Sequence, residues 1–145
     1  MLPHKHVIIS ATVGAAAWLA SGQPVSFPLA VAAGVLPDVD HIADYAYFRR
    51  YGVHRLIMPL HAYELALLGA GLTLLGGNLI VAVVTLSYLI HLFADQLENQ
   101  THRLGYSLFF RARHRFRVQE ISTVPEAAIR GREADMRLLR RLLQR

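Results

Sequence analysis

Apolar residues along this chain collect into four runs, at residues 7–20, 24–36, 56–75 and 79–97. The first is rich in Ala and ends at Ser21-Gly22-Gln23-Pro24. The second stops at Pro37, which lacks an N–H and restricts Leu36 before it. Gly76-Gly77-Asn78 parts the third run from the fourth. Read as helices, the last two reach roughly 30 Å, the thickness of a bilayer core. The first two are short for that task and would cross only a thinned bilayer, or dip in and return. The pattern predicts an all-α, membrane-embedded four-helix bundle running up and down.

Charge placement supports insertion. All 15 Lys and Arg residues lie before the first run, between the second and third, or after the fourth. The breaks at 21–24 and 76–78 have none. Four crossings with both termini in the cytoplasm put every basic residue on the inner side, as the positive-inside rule asks. Composition agrees, with 54% hydrophobic residues, 17% charged and a mean hydropathy of +0.33. The alternative is a soluble bundle of Ala- and Leu-rich buried helices. The 145 residues suffice for one domain with a real core. It divides into a helical membrane domain over 1–100 and a basic segment with a C-terminal helix over 101–145. The N-terminal apolar run continues into Gln23-Pro24 and a second run, so it reads as a retained helix and not a cleaved signal. With no cysteine, a disulfide framework and a thiolate metal site are both excluded.

The polar residues inside or beside the apolar runs carry the candidate chemistry. Asp38, Asp40 and His41 follow the second run, with Asp44 just beyond. Carboxylates this close must share a cation or a proton if they are even partly buried. A helix cap is the structural alternative for Asp38 and Asp40. His61 and Glu64 are spaced three apart in the third run, and His91 and Asp95 four apart in the fourth. Both spacings place the pair on one helical face, and facing helices that each donate a His and a carboxylate build metal sites in bundles. A charged group within an apolar span costs roughly 2.5–3.5 kcal/mol, so such residues point to a site. With His4 and His6 at the start of the first run, the up-down topology brings every candidate to the cytoplasmic end. A purely structural polar network is the alternative for the whole set.

Nitrogen and oxygen ligands without sulfur suit Zn, Mn, Fe or Ni, and the number of candidates exceeds what one closed zinc site uses. One or two divalent transition-metal ions are therefore expected, with a metal-activated water attacking an ester, phosphoester or amide. Glu64 is the candidate general base. Arg55, beside His54, could hold an anionic substrate group or serve as ordinary flanking charge. Residues 106–117 interleave aromatics with Arg111, Arg113, Arg115 and Arg117. After a membrane helix this stripe favours lipid headgroups over single-stranded nucleic acid. Thr123-Val-Pro-Glu126 has capping-box spacing and starts a last helix over 124–143, with Leu138, Leu139, Leu142 and Leu143 as its apolar stripe. That helix is expected on the membrane surface or on the bundle. His102 and His114 read as surface residues.

Gly34-Val-Leu-Pro-Asp-Val-Asp-His41, His54-Arg55, Leu60-His-Ala-Tyr-Glu64 and Tyr88-Leu-Ile-His-Leu-Phe-Ala-Asp95 together resemble the small membrane-bound metal-dependent hydrolases. That family includes inner-membrane-associated hydrolases described as LexA-binding. The resemblance covers about residues 4–117. It implies an integral protein of the bacterial inner membrane with a metal centre and hydrolase activity. By position it implies His6, Asp38, Asp40, His41, His61 and Asp95 as ligands, with Glu64 and His91 close by. The chain departs from the commoner His-Arg-Gly-x-Thr-His-Ser pattern, because seven positions separate His54 from His61 and Ala62-Tyr63-Glu64 follows. Glu64 is then a candidate to replace His54.

The resulting expectation is a membrane-bound hydrolase. Asp38, Asp40, His61 and either His91 or Asp95 hold the metal, Glu64 or Asp40 assists catalysis, and a phosphoester or lipid-like molecule is the substrate. The rival is a non-catalytic metal-binding membrane protein, either a scaffold or a cation carrier.

Overall fold

The computed structural model describes residues 3–143, with side chains over 4–134 and at Arg137. The described residues are helical apart from turns, loops and two isolated antiparallel bridges. α1 spans Pro3–Ser21 and α2 Ser26–Val35. A 3-10 turn, Leu36–Val39, leads into α3, Asp40–Tyr51. α4 spans Tyr63–Gly76 and α5 Leu79–Glu98. Two short helices, α6 (Leu108–Arg113) and α7 (Val118–Ile121), precede α8, Pro125–Leu143. The leucine stripe expected at 138, 139, 142 and 143 lies outside the described side chains.

Two helical hairpins form the bundle. α1 packs on α2, α4 packs on α5, and α5 also meets both α1 and α2. Small residues allow the close approach. A Cβ at Gly34 of α2 would fall 1.8 Å from Ser10 Oγ of α1, and one at Gly69 of α4 2.4 Å from Thr85 Oγ1 of α5. Stripes of this kind pack helices when apolar burial offers little driving force between them. Polarity is distributed to match. Leu67, Leu68, Leu72, Leu74 and Leu75 of α4 are exposed, as are Leu86, Phe93 and Leu97 of α5. His6, Ser10, Asp40, His61, Ser87, His91 and Asp95 are buried. Ala30, Leu92, Tyr106 and Ile121 share the interior with them, so the core is mixed while much of the exterior of α4 and α5 is apolar.

Only α5 among the described helices is both long and apolar enough to cross a membrane, at 20 residues. α2 has 10 residues and α4 has 14, about 15 and 21 Å long, short of the roughly 30 Å core. The third apolar run is not helical from its start at residue 56. Pro59 lies within a non-helical stretch over 52–62 that carries His61, and α4 begins only at Tyr63. The expectation that His61 and Glu64 share a helical face is therefore overturned: His61 precedes the helix. Beyond Asp38, the turn continues as α3, a helix the apolar pattern did not predict. It ends at Gly52, whose φ of +65° is the left-handed conformation that closes a helix.

Candidate metal centre

Four parts of the chain meet at one end of the bundle. α1 brings His6, the 3-10 turn Asp38, the stretch before α4 His61, and α5 His91 and Asp95 one turn apart. Their ligand atoms form two overlapping groups. In the first, atoms of His6, Asp38, His91 and Asp95 lie within 4.8 Å of one another; in the second, atoms of Asp38, His41 and His61 do. Asp38 belongs to both. A carboxylate has two oxygens, so it can serve two neighbouring ions.

The hydrogen bonds orient the rings. His91 Nδ1 lies 2.8 Å from the Gly34 carbonyl, which can only accept, so Nδ1 carries the proton and Nε2 presents its lone pair. His61 Nδ1 lies 3.4 Å from Asp40 Oδ2, and the same oxygen accepts the His61 backbone N–H at 3.1 Å. This is the outer-shell arrangement that holds ligating imidazoles in place. His61 Nε2 then faces His91 Nε2 at 3.1 Å, Asp95 Oδ2 at 3.3 Å and Asp38 Oδ1 at 3.7 Å. His6 Nε2 adds a contact of 3.1 Å to Asp95 Oδ1. His61 Nε2, His91 Nε2 and the carboxylate oxygens of Asp38 and Asp95 can all accept, and none has a proton to give while these two rings are neutral with Nδ1 protonated. His6 Nδ1 and Asp38 Oδ2 are buried without a hydrogen-bond partner. A donor set of imidazole nitrogens and carboxylate oxygens in this state fits a divalent transition metal.

The charges respond to the crowding. Burial would lower the His61 pKa, but its contacts with Asp38, Asp95 and Asp40 outweigh that and raise it to about 9. Burial pushes the Asp38 carboxyl up, yet the His61 contact and the charges of His91 and His6 hold it below its usual value. His41 moves the other way, lowered by burial and by the neighbouring His61.

The remaining candidates fall around this centre. Asp40 supports His61 from outside both ligand groups. Glu64 faces away: its carboxylate accepts from the Ser107 hydroxyl at 2.6 Å and the Leu108 N–H at 3.0 Å, at the start of α6. Arg55 stacks over the Tyr47 ring at 6.0 Å. His54 approaches Glu133 of α8 at 3.7 Å. His4 is exposed, His102 stacks on Phe110, and His114 pairs with Glu120.

Two arginines act otherwise than the sequence predicts: Arg111, expected in the headgroup-facing stripe, turns inward, and Arg132 carried no expectation. Arg111 is fully buried, and its guanidinium donates to the carbonyls of Met58 (2.8 Å) and His61, clamping the stretch that presents His61. Arg132 of α8 reaches back to pair with Asp44 of α3. Beside the centre, Asp38, His41, Asp44 and Arg132 contribute to the lining of a cavity of about 460 Å³. No signal distinguished either arginine from its solvated neighbours except the polar partner waiting elsewhere in the chain.

The apolar exterior and the buried His/Asp centre together define an all-helical protein with a membrane-type surface. The chain belongs to the YdjM inner membrane protein family, whose model matches residues 1–128. Comparison with curated proteins and with solved structures finds no match.

Proposed function

We propose that this chain is a membrane-bound, metal-dependent hydrolase. The supporting observation is the pair of ligand groups that share Asp38 and border a cavity on the Asp38–His41 side. In this reading His6, His91 and Asp95 would hold one ion and His41 and His61 another, with Asp38 available to either. Bound there, the ions supply Lewis-acid activation of water toward an ester or phosphoester. Water adds across that bond, one product keeping the hydroxyl oxygen and the leaving alkoxide taking up the proton.

The chain's own residues prepare this. Asp40 and the Gly34 carbonyl fix the His61 and His91 rings. Arg111 secures the backbone carrying His61. Glu64, engaged with α6, serves the architecture. The lowered pKa of His41 keeps its imidazole unprotonated, the state in which it can coordinate. The centre lies at the cytoplasmic end of the bundle, with α1, α2, α4 and α5 embedded and both termini inside, the orientation that follows from the positions of Lys and Arg.

Elemental analysis of detergent-purified protein tests the reading. Wild type is expected to carry one or two equivalents of a transition metal, and Asp38→Ala and His61→Ala to lose it together with esterase and phosphoesterase activity. Stoichiometric metal absent from folded wild-type protein, or full activity in either variant, would overturn it.

A further inference from the structure

Arg132 lies beyond the stretch matched by the family model, on a helix that folds back over the cavity. Its side chain is 11% exposed. Nη2 is used twice, on Asp44 Oδ2 and on the Arg55 carbonyl at 3.1 Å. Nε and Nη1 are buried without a partner. A guanidinium has five N–H donors, and leaving several unmade in a buried position is costly. Asp44 offsets the charge and the Phe48 ring lies 5.9 Å from the guanidinium carbon, but neither takes a hydrogen bond from Nε or Nη1. Arg132 lines a cavity whose apolar wall is Leu56, Met58, Val118, Ile121 and Ala128 and whose polar residues include Asp38, His41 and Asp44, so an occupant must join an apolar body to a polar group.

The same cavity connects this arginine to the metal centre. Asp38, His41 and Asp44 all line it. Asp38 and Asp44 are six residues apart on a helical path, about 9 Å along the axis. An anion held by Arg132 is thus set back by several ångströms from whatever reacts at Asp38.

We infer that Arg132 is the anion-recognition residue of the substrate cavity, and that the substrate is an amphiphile whose phosphate is separate from the ester bond that is broken. The inference rests on the hydrolase reading for its reaction and on Arg132 for its recognition. A phosphate matches the guanidinium fork, and the apolar wall accepts the hydrocarbon part. Arg55, packed on Tyr47, contributes its backbone carbonyl to holding Arg132.

The test uses full-length protein in detergent, stripped of metal with EDTA. Dihexanoyl phosphatidate, dihexanoyl phosphatidylcholine and inorganic phosphate are titrated by calorimetry. The phosphatidate is expected to bind at least about tenfold more tightly than the other two, in line with the strength of a charge-assisted guanidinium contact. Arg132→Gln should abolish that preference and Arg132→Lys retain part of it. Ala128→Trp, which leaves the Arg132–Asp44 pair intact and fills the cavity, should weaken phosphatidate binding to the same degree and covers the case in which Arg132→Gln fails to fold. Equal phosphatidate binding by wild type and folded Arg132→Gln overturns the inference, as does inorganic phosphate binding as tightly as the lipid. Manganese uptake is measured in parallel on each protein. Wild type that takes up no metal yet keeps the Arg132-dependent preference supports the recognition site and overturns only the hydrolase reading.

Discussion

His61 Nε2 stands 3.1 Å from His91 Nε2, while the Nδ1 atom of each ring faces an acceptor, Asp40 in one case and the Gly34 carbonyl in the other. Two lone pairs directed at each other need a cation between them. In metal-free protein that cation is a proton on His61.

This sets a pH dependence with a definite sign. The folded-state pKa of His61 is raised from 6.5 to about 9. The stabilisation it brings is complete below pH 6.5 and is lost as pH rises through 9. The Tm of metal-free protein in detergent should fall across that interval. Metal-loaded protein, in which an ion replaces the proton, should hold its Tm there, and its metal affinity should climb with pH over the same range. A flat metal-free profile contradicts the assignment.

Gly34 carries two duties, since its carbonyl orients His91 and its missing side chain admits Ser10. Gly34→Ala should destabilise the protein by about 1–3 kcal/mol through overpacking and weaken metal binding by turning the His91 ring. Adding Ser10→Gly should recover much of the stability, because the clash is with that side chain. Thermal melts of the single and double variants decide it. Absence of rescue means the α1–α2 contact is not the cause.

Arg111 should behave as a structural cation. Arg111→Met leaves the Met58 and His61 carbonyls unpaired and should cost about 3–6 kcal/mol, given that hydrogen bonds to charged groups contribute about 1.5–3 each. Metal affinity should drop about 10–100-fold, the usual effect of losing an outer support. Unchanged metal affinity in a folded Arg111→Met protein would show that the His61 stretch holds its shape unaided.

Glu64→Gln separates architecture from catalysis. The amide loses acceptor capacity toward Ser107 and the Leu108 and Phe109 N–H groups. A loss of about 1–3 kcal/mol in stability is expected, with metal content unchanged. A collapse of turnover at full stability would instead restore Glu64 as a base.

The metal candidates were legible because they break an apolar pattern. An Asp or His amid Leu and Val is visible without coordinates, and the four-residue step from His91 to Asp95 survives intact on α5. The same reasoning failed at His61 and Glu64, where spacing was converted to a shared face although Pro59 delays the helix. Arg111 and Arg132 were hidden for another reason. Each sits among other arginines, and burial of one basic residue in a basic stretch depends on a partner far away in sequence, Met58 for one and Asp44 for the other. The shortness of α2 was visible in its run, but that of α4 lay beyond the apolar pattern, which marks hydrophobic residues and not where the helical hydrogen bonds begin.

His6 and Asp95 touch across 89 residues of chain. A ribosome adding about 5–20 residues per second needs several seconds to bridge that gap. For that interval His6 of α1 has Asp38 but neither His91 nor Asp95 to meet it. Assembly of the centre is thus the closing event of biosynthesis for the first hundred residues, since a chain that stops before Asp95 holds only part of the donor set.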